Sequence, residues 1–268
     1  MKPLVTYYGG KQRIASRIVR LIEAIPHRIY VEPFAGGCAV LFAKGKPIVT
    51  NHHHYRECVN DSDERIVTMY RVARDRPGDL RRWLELTPYS QSEHAIAKGV
   101  LRDPDGHSEL RRAWAAVVSL RMGFSAKFQC GWSMAKTGKN DASTWSNYLD
   151  ALPGILDRLR GVHIGCEDAL RCIDRWDHPD TLFYCDPPYP GANQGHYGGY
   201  SLDDWSALCR KLEGIRGSFI LSGYSQDVEP EHDERIEIRA RATVIKPENG
   251  KRKNDERIEV LWARRRKA

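Results

Sequence analysis

The residues from Thr181 to Tyr189 constrain the fold most, because an apolar and aromatic run ends abruptly in Asp186-Pro187-Pro188-Tyr189. The length and aromatic content of the run predict a buried β-strand. The prolines end that strand, since neither can donate to a sheet ladder and each fixes its own φ. The motif therefore places a carboxylate at the carboxyl end of a strand, which is the edge where open α/β sheets bind their ligands.

The same motif suits the activation of an exocyclic amino group on a nucleobase. The lone pair of such an amine is delocalised into the ring, so the nitrogen is a poor nucleophile. Asp186 and the carbonyl of Pro187 could each accept one N–H, which would free the lone pair, while Pro188 keeps that carbonyl directed outward. Tyr189 is placed to stack on the base. Taken alone, the motif also fits a strand that ends in an ordinary proline turn.

Length and composition bound the class of protein. At 268 residues the chain can form one domain with a large insertion, or two domains. Its 41% hydrophobic and 29% charged residues are typical of a soluble globular protein. No stretch has the apolar length of a membrane-spanning helix, and the N-terminus lacks a signal-peptide core, so we expect a cytoplasmic protein without a membrane partner. Seven cysteines without a Cys-x-x-Cys pair favour reduced thiols over a structural zinc.

The charge pattern indicates a polyanionic partner, because the formal net charge is +7. One basic cluster, Lys251-Arg252-Lys253, precedes the last predicted strand and is a candidate DNA contact. The run 264–267 fits a solvated surface better. The adjacent histidines 52–54 cannot all converge on one metal from a regular element, so we interpret them as an exposed turn and predict no metal site.

Two stretches near the N-terminus are typical of ligand-binding turns. Tyr7-Tyr8-Gly9-Gly10-Lys11 precedes an amphipathic helix, and its glycines allow close backbone approach to a ligand. Further on, the strand 29–33 leads through Phe34-Ala35-Gly36-Gly37-Cys38 into a helix that starts at Ala39. A strand, a glycine turn and a helix in that order form the nucleotide-binding arrangement of a doubly wound sheet.

The next acidic residue lies at the distance expected for ribose recognition. Asp61 follows a second strand, which the sequence places either at 47–51 or at 57–60. Asp61 and Glu64 also fit a capping box at the start of a helix. The sequence leaves open whether Asp61 binds a ligand or only caps that helix.

The pattern changes between residues 74 and 159. Short helices are predicted at 79–86, 92–101 and 109–121, and the stretch 122–140 is irregular, basic and aromatic. Lysines among aromatic and amide side chains suit phosphate contact and base reading. A surface loop over a small core is the alternative. The candidate DNA contacts are Lys127, Lys136 and Lys139 for phosphates and Gln129 for a base, with Phe124, Phe128, Trp132, Trp145, Asn147 and Tyr148 around them.

The α/β pattern resumes after residue 160. Strands are predicted at 162–164, 182–185 and 218–222, with helices at 167–176 and 202–212, and the strands 235–238 and 257–262 form a closing pair. Ser201 and Asp204 are predicted to cap the helix that ends at 212. The glycine-rich segment 190–200 follows the Asp186 motif, where it could close over a substrate.

Together these motifs resemble the Dam-type DNA adenine-N6 methyltransferases, in which the cofactor motif precedes the recognition region and Asp-Pro-Pro-Tyr follows it. The resemblance covers nearly the whole chain. Its motifs, in order, are Tyr7-Tyr8-Gly9-Gly10-Lys11, the segment 31–37 (Val-Glu-Pro-Phe-Ala-Gly-Gly), Asn60-Asp61, Asp186-Pro187-Pro188-Tyr189 and Asn249-Gly250-Lys251-Arg252-Lys253.

The resemblance implies a Rossmann-like α/β fold of S-adenosylmethionine-dependent methyltransferases. Its mixed seven-stranded sheet lies between helices, and a helical DNA-recognition region is inserted. Residues 1–73 and 160–268 would form the catalytic domain and residues 74–159 the insertion. S-adenosylmethionine is the implied cofactor. Its implied contacts are Tyr7 and Lys11, the turn with Phe34, Gly36 and Gly37 at the methionine part, Asp61 at the ribose, Asp168 at the adenine, and Asp186, which also borders the target base.

Two departures from the family pattern stand out. Cys38 replaces the usual third glycine of the turn, which would loosen cofactor binding. The stretch 52–56 looks like an insertion, so the bounds of the second strand are open.

The implied reaction is methyl transfer to N6 of an adenine that is flipped out of double-stranded DNA. We expect a site-specific DNA-modifying enzyme, as a monomer or weak dimer. The alternatives are methylation of cytosine N4, RNA or a protein amide, and a non-catalytic DNA-binding protein that retains the fold. Relatives that modify amides, and many that modify cytosine, have Asn or Ser in place of Asp186, so Asp186 disfavours them. The intact motif disfavours the non-catalytic protein.

Overall fold

The computed structural model describes residues 1–46, 55–138, 140–190, 199–224, 228–241 and 256–266. Several predictions fall outside these ranges. They are the strand at 47–51, the histidines 52–54, Lys139, most of the glycine-rich segment, and the cluster Lys251, Arg252 and Lys253.

The strands of the described residues form one mixed seven-stranded sheet in the order β3-β2-β1-β4-β5-β7-β6. The first five of these strands are parallel, and β7 runs antiparallel to both of its neighbours. The predicted α/β fold with a mixed seven-stranded sheet is confirmed. The strands are β1 Ile29–Glu32, β2 Arg56–Asn60, β3 Val162–Gly165, β4 Thr181–Cys185, β5 Ser218–Gly223, β6 Glu234–Arg241 and β7 Glu256–Arg264.

Helices cover both faces of the sheet and begin where the sequence supplies caps. Ser90, Ser108 and Asn140 each accept a backbone N–H at the start of a helix, and Ser201 with Asp204 forms the predicted capping box. No helix among the described residues is long and apolar enough to cross a membrane. The helices are α1 Ala15–Glu23, α2 Ala39–Lys44, α3 Glu64–Asp75, α4 Pro77–Glu85, α5 Gln91–Arg102, α6 Glu109–Met122, α7 Asp141–Arg158, α8 Ala169–Trp176 and α9 Leu202–Glu213.

The sheet separates two apolar cores, because successive side chains of a strand point to opposite faces. On β4, Leu182 and Tyr184 face one core, whereas Phe183 and Cys185 face the other. The first core continues into helices α1 to α7, and the second lies under α8 and α9. Both faces of β4 are covered, which explains why its sequence reads as a continuous apolar run.

The helices α4 to α7 follow α3 in the chain and precede β3. The division into two domains at residues 73 and 160 stays a prediction. Phe128, Trp145 and Tyr148, which the sequence placed around the DNA contacts, are instead 2–6% exposed in the first core. The spacing of Trp145 and Tyr148 places both on the inner face of α7, where the Trp145 ring N–H donates to the carbonyl of Thr87 over 2.9 Å.

A buried ion pair fixes the end of α7 to the sheet. The Arg158 guanidinium donates to both oxygens of Glu57 on β2, over 2.7 and 3.0 Å, and to the carbonyl of Leu41 over 3.0 Å. Lys44 lies 3.1 Å from the same carboxylate. Because a buried charge is costly unless it is paired, these contacts stabilise the placement of α7 against β2.

Candidate functional site

A cavity of about 1190 Å³ opens at the carboxyl ends of the parallel strands. It forms where β1 and β4, which are neighbours in the sheet, end in Glu32-Pro33 and in the Asp186 motif. Every residue predicted to bind the cofactor or to take part in catalysis lines it: Tyr7, Lys11, Phe34, Gly36, Gly37, Asp61, Asp168, Asp186, Pro187 and Tyr189.

Asp186 is held through one of its two carboxylate oxygens. Lys11 Nζ lies 2.8 Å from Oδ1, and the Tyr189 hydroxyl donates to the same oxygen over 3.0 Å. In the described part of the chain, Oδ2 has no hydrogen-bond partner. The carboxylate is therefore fixed in orientation and retains one oxygen for a donor that enters the cavity.

Lys11 is a buried cation at the centre of this group, with a side chain that is 7% exposed. Its ammonium donates to the carbonyl of Gly9 over 3.3 Å and lies 4.7 Å from the centre of the Tyr189 ring. Burial lowers the pKa of Lys11, but the carboxylates of Asp186 and Glu259 outweigh burial and raise the pKa overall. Lys11 therefore stays charged and neutralises part of the acidic cluster.

Asp61 braces the glycine turn instead of capping a helix. Its Oδ2 accepts the backbone N–H of Gly36 over 2.8 Å, and its Oδ1 accepts that of Asp63 over 2.9 Å. The predicted capping box of Asp61 and Glu64 is wrong, because Glu64 is the first residue of α3 and Asp63 is its N-cap, accepting from the backbone of Arg65. Burial raises the pKa of Asp61 to about 6.

Close packing against Tyr7 explains the glycines of the turn. A Cβ on Gly37 would lie 2.9 Å from Tyr7 Cβ, and one on Gly36 would lie 3.2 Å from the Tyr7 ring. The Tyr70 hydroxyl donates to the carbonyl of Gly36 over 3.2 Å. Cys38 has a left-handed backbone with φ 50°, which is the conformation that glycine adopts most readily. Its side chain is nevertheless buried and packs into the core.

Asp168 lies at the edge of the cavity as the N-cap of α8. Its Oδ1 accepts the backbone N–H groups of Leu170 and Arg171 over 2.9 and 3.2 Å. The side chain is exposed, so its predicted contact with a cofactor stays a prediction.

Two carboxylates of the cavity, one buried and one largely buried, were absent from the sequence prediction. Glu32 ends β1 and accepts the Tyr30 hydroxyl over 2.8 Å, and burial raises its pKa to about 8. Glu259 lies on β7, and its Oε2 accepts the Tyr189 hydroxyl over 2.9 Å. The signal for Glu32 was an acidic residue inside an apolar strand beside the glycine turn. Glu259 had a weaker signal, because only strand pairing brings it to this edge.

The predicted DNA-contacting residues that the structure describes lie on the stretch after α6. Lys127 Nζ sits 3.6 Å above the Tyr8 ring, and Lys136 is exposed. Gln129 Oε1 accepts from Arg102 Nε over 3.2 Å, and its Nε2 donates to the carbonyl of Lys98 over 3.4 Å. Lys127 thus contacts Tyr8, in the N-terminal motif that includes Tyr7 and Lys11, and Gln129 contacts α5.

The stretch is also attached to the cavity through the backbone. The N–H of Tyr8 donates to the carbonyl of Ala126 over 3.1 Å. Tyr7 makes an edge contact with Phe128, whose ring lies under the guanidinium of Arg65 at 4.4 Å.

Within the described ranges, no three His, Cys, Asp or Glu side chains are grouped as a metal site requires.

Comparisons with curated sequences, solved structures and family models show what the chain is similar to. No curated protein sequence matches the chain. Two structures of the rRNA methyltransferase aviRa from Streptomyces viridochromogenes, at 2.4 and 1.5 Å, align with TM-scores of 0.36 and 0.41 and identities of 11% and 10%. Each alignment covers 94% of this chain and 84% of the solved one.

The family model described as "D12 class N6 adenine-specific DNA methyltransferase" matches residues 7–226. The matched span begins at Tyr7 and includes the glycine turn, Asp61 and the Asp186 motif. The chain belongs to the D12 class of N6 adenine-specific DNA methyltransferases.

Proposed function

We propose that this enzyme transfers a methyl group from S-adenosylmethionine to N6 of an adenine flipped out of duplex DNA, at a specific sequence. The observation that carries the proposal is the way in which the two carboxylate oxygens of Asp186 are hydrogen-bonded. Its Oδ1 is held by Lys11 and Tyr189, and its Oδ2 is left for a donor in the cavity. An amine that donates one N–H to Oδ2 and the other to the carbonyl of Pro187 would have its lone pair freed for attack.

The residues around the glycine turn fit the implied cofactor. Each Asp61 oxygen accepts one backbone N–H, and a carboxylate oxygen has a second lone pair that can accept a ribose hydroxyl. Phe34, Gly36 and Gly37 line the cavity beside Asp61. When bound, S-adenosylmethionine supplies an electrophilic methyl group on a sulfonium centre. The protein's own part is to hold the amine in line with that group, since alignment supplies much of the acceleration in such displacements.

Two features support DNA as the substrate: the positive net charge of the chain, and the basic stretch that is hydrogen-bonded to the edge of the cavity. Flipping a base out of a duplex costs a few kcal/mol, and a chain with net charge +7 can recover part of that through phosphate contacts. The stretch 124–139 is joined to the cavity at Tyr8 and Ala126, which supports its role in contacting DNA near the target base. A cytoplasmic location and a monomer or weak dimer stay predictions. Membership of an adenine-specific enzyme family disfavours cytosine, RNA and non-catalytic alternatives.

The test is the variant Asp186→Ala, assayed for transfer of a labelled methyl group to duplex DNA. We expect methylation to be abolished and DNA binding to persist. The matched control is Asp174→Ala, which removes an exposed aspartate that pairs with Lys211 on the surface. Turnover by Asp186→Ala close to that of the wild type would refute the assignment of Asp186. Absence of transfer by the wild type with every duplex offered would refute the proposed function.

A further inference from the structure

Glu259 is a largely buried carboxylate at the active edge that the proposed reaction does not yet use. Its strand, β7, runs antiparallel to β5, and the residue after it, Val260, pairs with Gly223 at the carboxyl end of β5. Glu259 therefore emerges beside the Asp186 motif. Its side chain is 12% exposed and lines the cavity.

Glu259 and Asp186 share the same two partners. The Tyr189 hydroxyl lies 2.9 Å from Glu259 Oε2 and 3.0 Å from Asp186 Oδ1. The Lys11 ammonium lies 3.9 Å from Glu259 Oε2 and 2.8 Å from Asp186 Oδ1. Two carboxylates thus face one ammonium and one phenol hydroxyl.

The Tyr189 hydroxyl has one proton, so it can donate to only one of the two carboxylates at a time. Both distances suit a hydrogen bond, and Ser222 Oγ, at 2.9 Å, can donate to the Tyr189 oxygen in either case. The two arrangements differ by a rotation of the hydroxyl, without movement of the tyrosine ring. Glu259 therefore gives the Tyr189 hydroxyl a second hydrogen-bond acceptor beside Asp186.

We propose that Glu259 is a positioning residue for methyl transfer, which takes the Tyr189 hydroxyl when the adenine amine donates to Asp186. No covalent bond changes in this step, and the proton stays on Tyr189 while its acceptor changes. The inference rests on the proposed role of Asp186.

The experiment compares Glu259→Ala and Glu259→Gln in single-turnover methylation at saturating S-adenosylmethionine and DNA. We expect Glu259→Ala to slow transfer about tenfold to a hundredfold, because a hydrogen bond to a charged group is lost. The binding of S-adenosylmethionine should stay within about threefold of wild type, since Glu259 acts on the amine side of the site. Glu259→Gln should recover most of the rate because its amide oxygen still accepts from Tyr189.

A double-mutant cycle separates positioning from a merely structural role. If Glu259 acts through the Tyr189 hydroxyl, then Glu259→Ala should have a much smaller effect in a Tyr189→Phe background than in the wild type. Glu237→Ala is the matched control, because Glu237 is an exposed glutamate on the neighbouring strand and pairs with Val260. That variant should keep the wild-type rate.

Three results would overturn the inference: a wild-type rate for Glu259→Ala, a full loss that persists in the Tyr189→Phe background, or a Glu259→Gln rate as low as that of Glu259→Ala. Thermal melting of each variant establishes that it is folded, and if the alanine variant is not, the cycle is run with Glu259→Leu. Failure of the proposed function is distinguishable, because it would appear as absence of transfer by the wild type, whereas an active Asp186→Ala would refute the role of Asp186 on which this inference rests. An active Glu259→Ala beside an inactive Asp186→Ala refutes the inference alone.

Discussion

The backbone N–H of Gly36 donates to Asp61 Oδ2 over 2.8 Å, which joins the glycine turn after β1 to the carboxylate after β2. These two residues are 25 positions apart in the chain and meet because β1 and β2 are parallel neighbours in the sheet. The hydrogen bond positions the turn, and the same Asp61 lines the cavity. Asp61 thus has a structural role and a predicted binding role at once.

Replacing Asp61 by Ala should weaken the binding of S-adenosylmethionine by about 1.5–3 kcal/mol, because a charged acceptor of ribose hydroxyls is lost. Titration calorimetry measures the affinity. Because burial raises the pKa of Asp61 to about 6, its carboxylate gains a proton as the pH falls through about 6. We therefore expect wild-type affinity to be lower at pH 5 than at pH 7.5.

Asp61→Asn is the control for the pH effect, since its amide does not titrate and its affinity should not show that step. Unfolding is measured on the same samples. Unchanged affinity of Asp61→Ala together with a lower melting temperature would mean that Asp61 only braces the turn.

Glu32 should make the stability of the protein fall as the pH rises. Burial raises its pKa from 4.5 to about 8, so the folded state binds the proton more tightly than the unfolded state. The stabilisation is therefore fully present below about pH 4.5 and is lost as the pH rises through about 8. Glu32→Gln, which still accepts from Tyr30, should show a flatter dependence over that window in denaturant unfolding at several pH values.

The matched control for Glu32 is Glu23→Gln, an exposed glutamate on α1, which should keep the wild-type pH dependence. An identical slope for Glu32→Gln and the wild type would show that Glu32 is ionised in the folded protein.

Replacing Cys38 by glycine should destabilise the protein less than replacing it by any branched residue. The left-handed backbone of Cys38, with φ 50°, costs a non-glycine residue about 1–2 kcal/mol. Cys38→Gly relieves that strain but loses a buried side chain, so the free energy of unfolding should change by less than about 1 kcal/mol. Cys38→Val keeps the strain and adds branching, and should destabilise by about 2 kcal/mol or more.

Affinity for S-adenosylmethionine tests whether Cys38 loosens cofactor binding. Because the thiol is 1% exposed, we expect Cys38→Gly to bind within about threefold of the wild type. A tenfold tighter glycine variant would show that the departure from the family turn weakens the cofactor site.

Variants in the stretch 124–139 should have two different effects on DNA binding, one for residues that contact phosphates and another for a residue that contacts a base. Lys136→Ala should weaken binding to all DNA sequences alike and reduce the salt slope by about 0.9. Lys127→Ala should do the same if its ammonium leaves the Tyr8 ring for a phosphate. Gln129→Ala should instead relax preference at one base pair, by about 1–3 kcal/mol for a bidentate contact.

Arg102→Ala is the control for Gln129, because Arg102 donates to its amide oxygen. If Gln129 only attaches the stretch to α5, both variants should weaken binding equally at every sequence. A Lys127 and Lys136 double variant with wild-type affinity and salt slope would show that the stretch does not contact phosphates.

Much of the fold was predictable because local patterns specify it. The apolar run 181–185 with its prolines, the glycine turn after β1 and the Ser201 capping box are all short-range signals, and the structure has each element where the sequence placed it. Asp186 at a strand end followed from chemistry that needs only neighbouring residues. The mixed seven-stranded sheet was expected from the family resemblance and not from any single pattern, and the structure supplied the order of its strands.

The sequence by itself thus determined most of the elements, the order of the motifs and, through the family resemblance, many of the residues that line the cavity. Only the tertiary structure decided how those residues are paired. The bond from Gly36 to Asp61, the burial of Trp145 and Tyr148, the Arg158 and Glu57 pair and the placement of Glu259 all join residues distant in sequence. Such pairings depend on strand order and helix packing, and a local pattern has no information about which distant side chain will share a buried site.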